Sequence, residues 1–180
     1  MTSTFEWLIG AFPDKETKEF QVKWSTAEIQ VAAFEGGELQ FNGQLEGTMR
    51  VFRNHEEAHM RVKAAVEALQ LCVRCLELAP LQLEIAFDIL YRPSRFKPNY
   101  WEDESDIGLG YYDNGMINMQ DDLRRHLQLE TSLWPVCQES CKGLCPECGV
   151  NRNETLCGCG NSAQPSKTAI GAQLEQLFNR

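Results

Sequence analysis

At 180 residues, 43% of them hydrophobic and 24% charged, the chain can build one core and carry a small appendage, which argues against wholesale disorder. A net charge of −9 and a pI near 4.9 exclude nonspecific nucleic-acid binding by bulk charge, so any contact with phosphate needs a local basic patch. No run approaches the ~18 apolar residues of a membrane span, and MTSTFEWLIGAFPDKE lacks the basic start and sustained apolar run of a signal peptide. The expectation is a cytoplasmic protein with no membrane contact.

From Glu28 to Tyr91 the apolar residues recur with period two. Ile29, Val31 and Ala33 predict a short strand, with Gly36-Gly37 turning into the next. In Glu38–Val51, Leu39, Phe41, Leu45, Met49 and Val51 alternate with Glu38, Gln40, Asn42, Gln44, Glu46, Thr48 and Arg50, one face for a core and one for water. Met60–Leu71 alternates likewise, although its alanines and glutamate would suit a helix. Its neighbours favour a strand, because Leu81, Leu83, Ile85, Phe87, Ile89 and Tyr91 continue the same pattern. From Arg92 to Gly115 the prolines, glycines and acidic residues predict a long loop. Asn118 then caps a helix to about Leu133, with Leu123, Leu127 and Leu133 on one side and Pro135 closing it. A polar linker over 161–166 leads to a last short helix carrying Ile170, Leu174, Leu177 and Phe178 at helical spacing.

The eight cysteines are the residues whose spacing specifies a chemistry. Cys72 and Cys75 form a CxxC pair after Leu71; Cys137, Cys141, Cys145, Cys148, Cys157 and Cys159 crowd the C-terminal third. Thiolates two residues apart aim at one point, and eight is the number that two tetrahedral thiolate sites consume. Outside a secretory context metal is favoured over disulfides. Chain proximity favours Cys145, Cys148, Cys157 and Cys159 as one site and Cys72, Cys75, Cys137 and Cys141 as the other, tying the C-terminal block to the sheet. The competing partition joins the two CxxC knuckles, Cys72/Cys75 with Cys145/Cys148, as in a zinc ribbon. Four cysteine ligands leave no open position, so one or two structural Zn²⁺ ions are expected.

Other chemistries compete with this reading. His55-Glu56-Glu57-Ala58-His59 matches HExxH, which on a helix would hold a hydrolytic zinc, with Glu84 as a distant third ligand. Between two strands, however, a solvated hairpin turn fits better. Clustered cysteines also suit a thiol redox sensor. His126 reads as a surface or packing histidine, and Asp103, Glu104 and Asp106 as a solvated acidic loop. Arg92, Arg95 and Lys97, interleaved with Phe96, Tyr100 and Trp101, are candidate contacts for RNA or a partner, or a loop packing its own aromatics.

Leu71-Cys72-Val73-Arg74-Cys75-Leu76-Glu77, the helix leading into Leu133–Val136, and CKGLCPECGVNRNETLCGC together resemble the large ribosomal RNA subunit accumulation protein family, also called YceD-like, from about Glu28 onward. The resemblance implies a factor acting in accumulation, processing or assembly of large-subunit (23S) ribosomal RNA, with that RNA or a ribosome-assembly protein as partner. No catalytic constellation contradicts a non-enzymatic role, and the acidity favours a basic protein partner. The expected architecture is α+β: an antiparallel β-meander with a C-terminal helix and a cysteine-rich zinc-binding module, divided as a mainly β domain over 1–134 and the cysteine module over 135–180.

Overall fold

The computed structural model describes residues 5–32, 39–98 and 108–159. Among the expectations above, Ala33, Gly36-Gly37, Tyr100, Trp101, Asp103, Glu104, Asp106, the 161–166 linker and the helix with Ile170, Leu174, Leu177 and Phe178 lie outside the described residues. Two compact units are present: Met1–Val73 with Glu77–Cys137, and Arg74–Leu76 with the chain from Gln138 onward.

The first unit is built on five strands in the order β2 (Thr17–Trp24), β3 (Gln40–Asn54), β4 (Glu57–Leu71), β5 (Leu78–Pro93) and β6 (Leu109–Tyr112). The first four are antiparallel; β6 joins β5 in parallel through Leu90–Pro93. A second, two-stranded antiparallel sheet pairs β1 (Glu6–Leu8) with β7 (Met116–Asn118). A helix, α1 (Gln120–Glu130), packs against β5. The antiparallel α+β class is as expected.

The alternation read from sequence is the register of the sheet. Ala58, Met60, Val62, Ala64, Val66 and Ala68 of β4 are buried, while His59, Arg61, Lys63 and Glu67 are exposed, so the segment is a strand despite its alanines. Opposite them, Leu45, Met49 and Val51 of β3 and Leu83, Ile85, Phe87, Ile89 and Tyr91 of β5 complete the inner face. Gly47 is required where β3 meets β4: a Cβ there would lie 2.0 Å from the Lys63 carbonyl oxygen and 2.5 Å from the Ala64 Cα. Trp24 of β2, paired with Leu45, lies on the same face, and Phe5, Ile117, Met119, Leu123 and Leu127 complete the buried core.

Four expectations are corrected. Ile29 and Val31 are buried but belong to no strand; they follow a 3₁₀ turn, Thr26–Glu28. The partner of β3 is instead β2, whose Phe20, Val22 and Trp24 carry the same alternation in a segment overlooked because the periodic run starts later. The long loop expected over Arg92–Gly115 contains β6, and β7 follows it directly; both are too short to announce themselves by periodicity. The helix stops at Glu130, with the Thr131 hydroxyl donating to the Leu127 carbonyl at 2.9 Å, and Leu133 is 76% exposed beyond it. At its start the N-cap is Met119 and not Asn118, which ends β7 and accepts the Gln120 N–H on its Oδ1 at 2.9 Å.

α1 brings polar groups inside. Asp122 is buried, accepts from the Tyr91 hydroxyl, and receives Arg125 at 2.7 Å. Burial pushes both the Asp122 carboxyl and the Tyr91 phenol above their ordinary values, the phenol further because the carboxylate lies beside it. His126 stacks on Phe87 with centroids 3.9 Å apart and planes at 4°, the packing histidine expected, and burial lowers its pKa.

Candidate metal centres

Beyond β4 the chain turns back into β5 through Cys72–Glu77. Cys72 donates its N–H to the Glu77 carbonyl at 2.9 Å, Leu76 takes a left-handed φ of 60°, and the Val73 N–H reaches the Pro135 carbonyl at 2.9 Å. That last bond fixes the approach to Cys137, two residues further on.

The second unit is organised around Arg74, a residue the sequence reading passed over. Its carbonyl accepts the Leu144 N–H at 2.9 Å, and its guanidinium donates to the carbonyls of Glu139 and Cys141 at 3.0 and 3.1 Å. Gly143, at φ 70°, sits so close that a Cβ would come within 2.8 Å of the Arg74 oxygen. The loop 145–150 is closed by Gly149 N–H to Cys145 O at 2.9 Å and Cys145 N–H to Val150 O at 2.8 Å, with Gly149 at φ 72°. Asn153 was also missed. Its Oδ1 accepts the Lys142 N–H at 2.8 Å, and its Nδ2 donates to Asn151 Oδ1 at 2.9 Å and to the Cys141 sulfur at 3.3 Å. No spacing signature marks either Arg74 or Asn153 in the sequence.

These turns gather the sulfurs into two groups of four: Cys72, Cys75, Cys137 and Cys141, and Cys145, Cys148, Cys157 and Cys159. Within each group the sulfurs lie within 4.8 Å of one another, a set that could hold a metal ion. Bonds of about 2.3 Å to a tetrahedral zinc would put them roughly 3.8 Å apart, so a small contraction suffices. The grouping matches the partition by chain proximity and not the zinc-ribbon alternative. None of the eight is in a disulfide.

Electrostatics explains what such a group lacks by itself. The backbone N–H groups of Cys148 and Glu147 point at the Cys145 sulfur and bring its thiol down to about 6. The neighbours move the other way. Hydrogen bonding to Cys145 raises Cys157, and hydrogen bonding to Cys148 pushes Cys159 up to about 12. Cys145 ionises readily, and Cys157 and Cys159 resist a second negative charge beside it. A divalent cation at the centre reverses that resistance, which is the chemistry of this donor set.

The HExxH residues do not share a helical face. His55, at φ 56°, and Glu56 form the two-residue turn between β3 and β4, and His59 lies on the exposed face of β4. The His55 N–H donates to Asp14 Oδ1 at 2.7 Å, and Glu56 pairs with Arg95. The solvated turn is therefore what the structure contains. Among the described residues, the two cysteine groups are the clusters of metal-ligating side chains. The cations at the end of β5 and just beyond it are engaged locally. Arg92 pairs with Glu57 at 2.8 Å, Arg95 lies 4.9 Å from the Phe96 ring centroid, and Lys97 is 5.9 Å from that of Tyr111. No described helix is long and apolar enough to cross a membrane.

Comparison with known proteins points one way. No solved structure matches the chain. A stretch of 44 residues is 36% identical to the large ribosomal RNA subunit accumulation protein YCED homolog 1, chloroplastic, of Arabidopsis thaliana, covering 24% of this chain and only 14% of that relative's length. The family model described as large ribosomal RNA subunit accumulation protein YceD matches residues 59–178, well over half of the chain and both cysteine groups, and the chain belongs to that family.

Proposed function

We propose that the protein is a non-catalytic, zinc-holding factor that supports accumulation, processing or assembly of large-subunit ribosomal RNA in the cytoplasm. The observation that carries this reading is the YceD family match over residues 59–178, a stretch that includes all eight cysteines. Cys72, Cys75, Cys137 and Cys141 would hold one zinc and Cys145, Cys148, Cys157 and Cys159 another. With four thiolates each, neither ion would have a position open to substrate. The metal's contribution is charge neutralisation and folding free energy, on the order of 10 kcal/mol in small thiolate sites. The sulfur donors, the backbone N–H groups around Cys145 and the Asn153 amide on Cys141 all favour thiolate, which supports zinc.

The mainly β stretch 1–134 would then supply the working surface, with 135–180 as the metal-held module. A net charge of −9 points to a basic ribosome-assembly protein, or to rRNA met at the local patch of Arg92, Arg95, Lys97, Tyr100 and Trp101. The test is depletion of the protein followed by quantification of both ribosomal RNAs. Large-subunit rRNA should fall relative to small-subunit rRNA and recover with the wild-type chain. An unchanged ratio refutes the proposal.

A further inference from the structure

The five-stranded sheet of the first unit has an open edge at β2. The strand pairs with β3 along Thr17–Trp24, and among the described residues no backbone hydrogen bond reaches its other side. Such an edge carries a row of unpaired N–H and C=O groups, which a further strand satisfies by adding to the sheet.

The side chains of β2 select that strand. Glu19, Gln21 and Lys23 stand exposed on the outer face, while Phe20, Val22 and Trp24 turn to the core. Charge runs from negative to positive about Gln21, so the outer row is its own complement when reversed. Two copies of β2 placed antiparallel, with Gln21 opposite Gln21, set Glu19 of each against Lys23 of the other and Phe20 against Val22 on the inner face. The adjacent registers that keep the faces matched put Glu19 or Lys23 opposite Gln21 and lose the charge pairs.

The pairing extends ion pairs already present. Arg50 lies 2.9 Å from Glu19 and Glu46 lies 2.8 Å from Lys23, each across from its partner in β3. In the joined sheet Glu19 therefore sits between Arg50 and Lys23 of the second copy, and Lys23 between Glu46 and Glu19 of the second copy. Isolated exposed pairs contribute little, whereas a row of four alternating charges, crossing the junction twice, fixes direction and register. The other open edge lacks this property. β6 covers β5 only at Leu90–Pro93, and the exposed row before it, Gln82, Glu84, Ala86 and Asp88, has no cation to meet the carboxylates of a second copy.

We propose that the protein forms a two-fold dimer through β2, the two strands meeting at Gln21 so that one antiparallel sheet runs through both copies. The inference depends on neither the metal centres nor the ribosomal reading.

The test is sedimentation of the full zinc-loaded chain over rising concentration, which should show a monomer–dimer equilibrium. Junctions below about 1,200 Å² are weak, so the series extends to roughly 0.5 mM. Glu19→Lys and Lys23→Glu should each raise the dissociation constant about tenfold or more, because two attractions become repulsions. An equimolar mixture of these variants should recover the dimer: the introduced lysine meets the introduced glutamate, and native Lys23 meets native Glu19. Both variants also disturb an ion pair with β3. Gln21→Lys and Gln21→Glu leave those pairs intact and repeat the experiment at the two-fold axis, each repelling itself and the mixture associating. Zinc content and thermal unfolding verify that every variant is folded. A chain that stays monomeric throughout, single variants that dimerise like the native protein, or mixtures no tighter than their components would overturn the proposal. So would a dimer that Glu84→Lys alters and the β2 variants do not, which would assign the junction to β5.

Discussion

Asn153→Ala is the most direct probe of the first sulfur group that leaves every cysteine in place. The substitution removes the donor 3.3 Å from the Cys141 sulfur and the acceptor of the Lys142 N–H, both on the strand of chain that carries Cys141. Lys142 is exposed, so water can replace that acceptor at little cost; the contact with sulfur has no such substitute. Partners that hydrogen-bond to a metal ligand typically change affinity by about 10–100-fold, or roughly 1.4–2.8 kcal/mol. The assay is competition for zinc against a chromophoric chelator. It is run in a Cys148→Ser, Cys159→Ser background so that only the first group loads. The zinc dissociation constant should rise by at least about tenfold. Asn153→Asp, which keeps the acceptor but replaces the donor with a negative charge beside the thiolates, should be weaker still. Affinity within twofold of the parent in Asn153→Ala would refute the role given to this amide.

Other predictions concern the sulfur partition and the core. Two zincs per native chain are expected by elemental analysis, and Cys72→Ser combined with Cys141→Ser should leave one, because those sulfurs share a group; loss of both would favour the zinc-ribbon pairing. Tyr91→Phe should cost about 1–3 kcal/mol in urea unfolding, since buried Asp122 loses a donor. Because burial raises the Asp122 pKa, the folded state holds that proton more tightly than the unfolded one. The variant should therefore lose more stability as pH rises from 4 toward neutrality, and a pH-independent loss would contradict it. His126 behaves oppositely: burial lowers its pKa, so its contribution is complete above its ordinary value and is lost as pH falls through the folded one. His126→Phe should thus flatten the stability profile of the native protein below about pH 6.5. Gly47→Ala should destabilise by more than about 3 kcal/mol, measured by thermal unfolding, because its Cβ would fall 2.0 Å from a backbone oxygen.

Legibility in the sequence followed the physical origin of each feature. β3, β4 and β5 were readable because each buries one long face, and period two survives over 15 or 16 residues. β6 and β7, four and three residues long, exist by virtue of their pairing partners, which no local pattern reveals. Leu133 was read into the helix because Pro135 was the stop signal in view, yet Thr131 turns its hydroxyl back on the last turn and the chain leaves the helix. The cysteine grouping was legible from loop-closure entropy alone. The residues that shape the groups, Arg74 and Asn153, were not, because an arginine or asparagine acting through carbonyls or one sulfur carries no spacing signature.

The first sulfur group joins cysteines from the middle and the late part of the chain, Cys72 and Cys75 with Cys137 and Cys141. During synthesis at about 5–20 residues per second, the early pair would wait several seconds for the late one. Throughout that interval a metal ion could meet only two of its four donors. Completion of this centre is therefore a record that translation has passed Cys141, and a chain cut short before it would present an unfinished, exposed thiol pair for quality control to find.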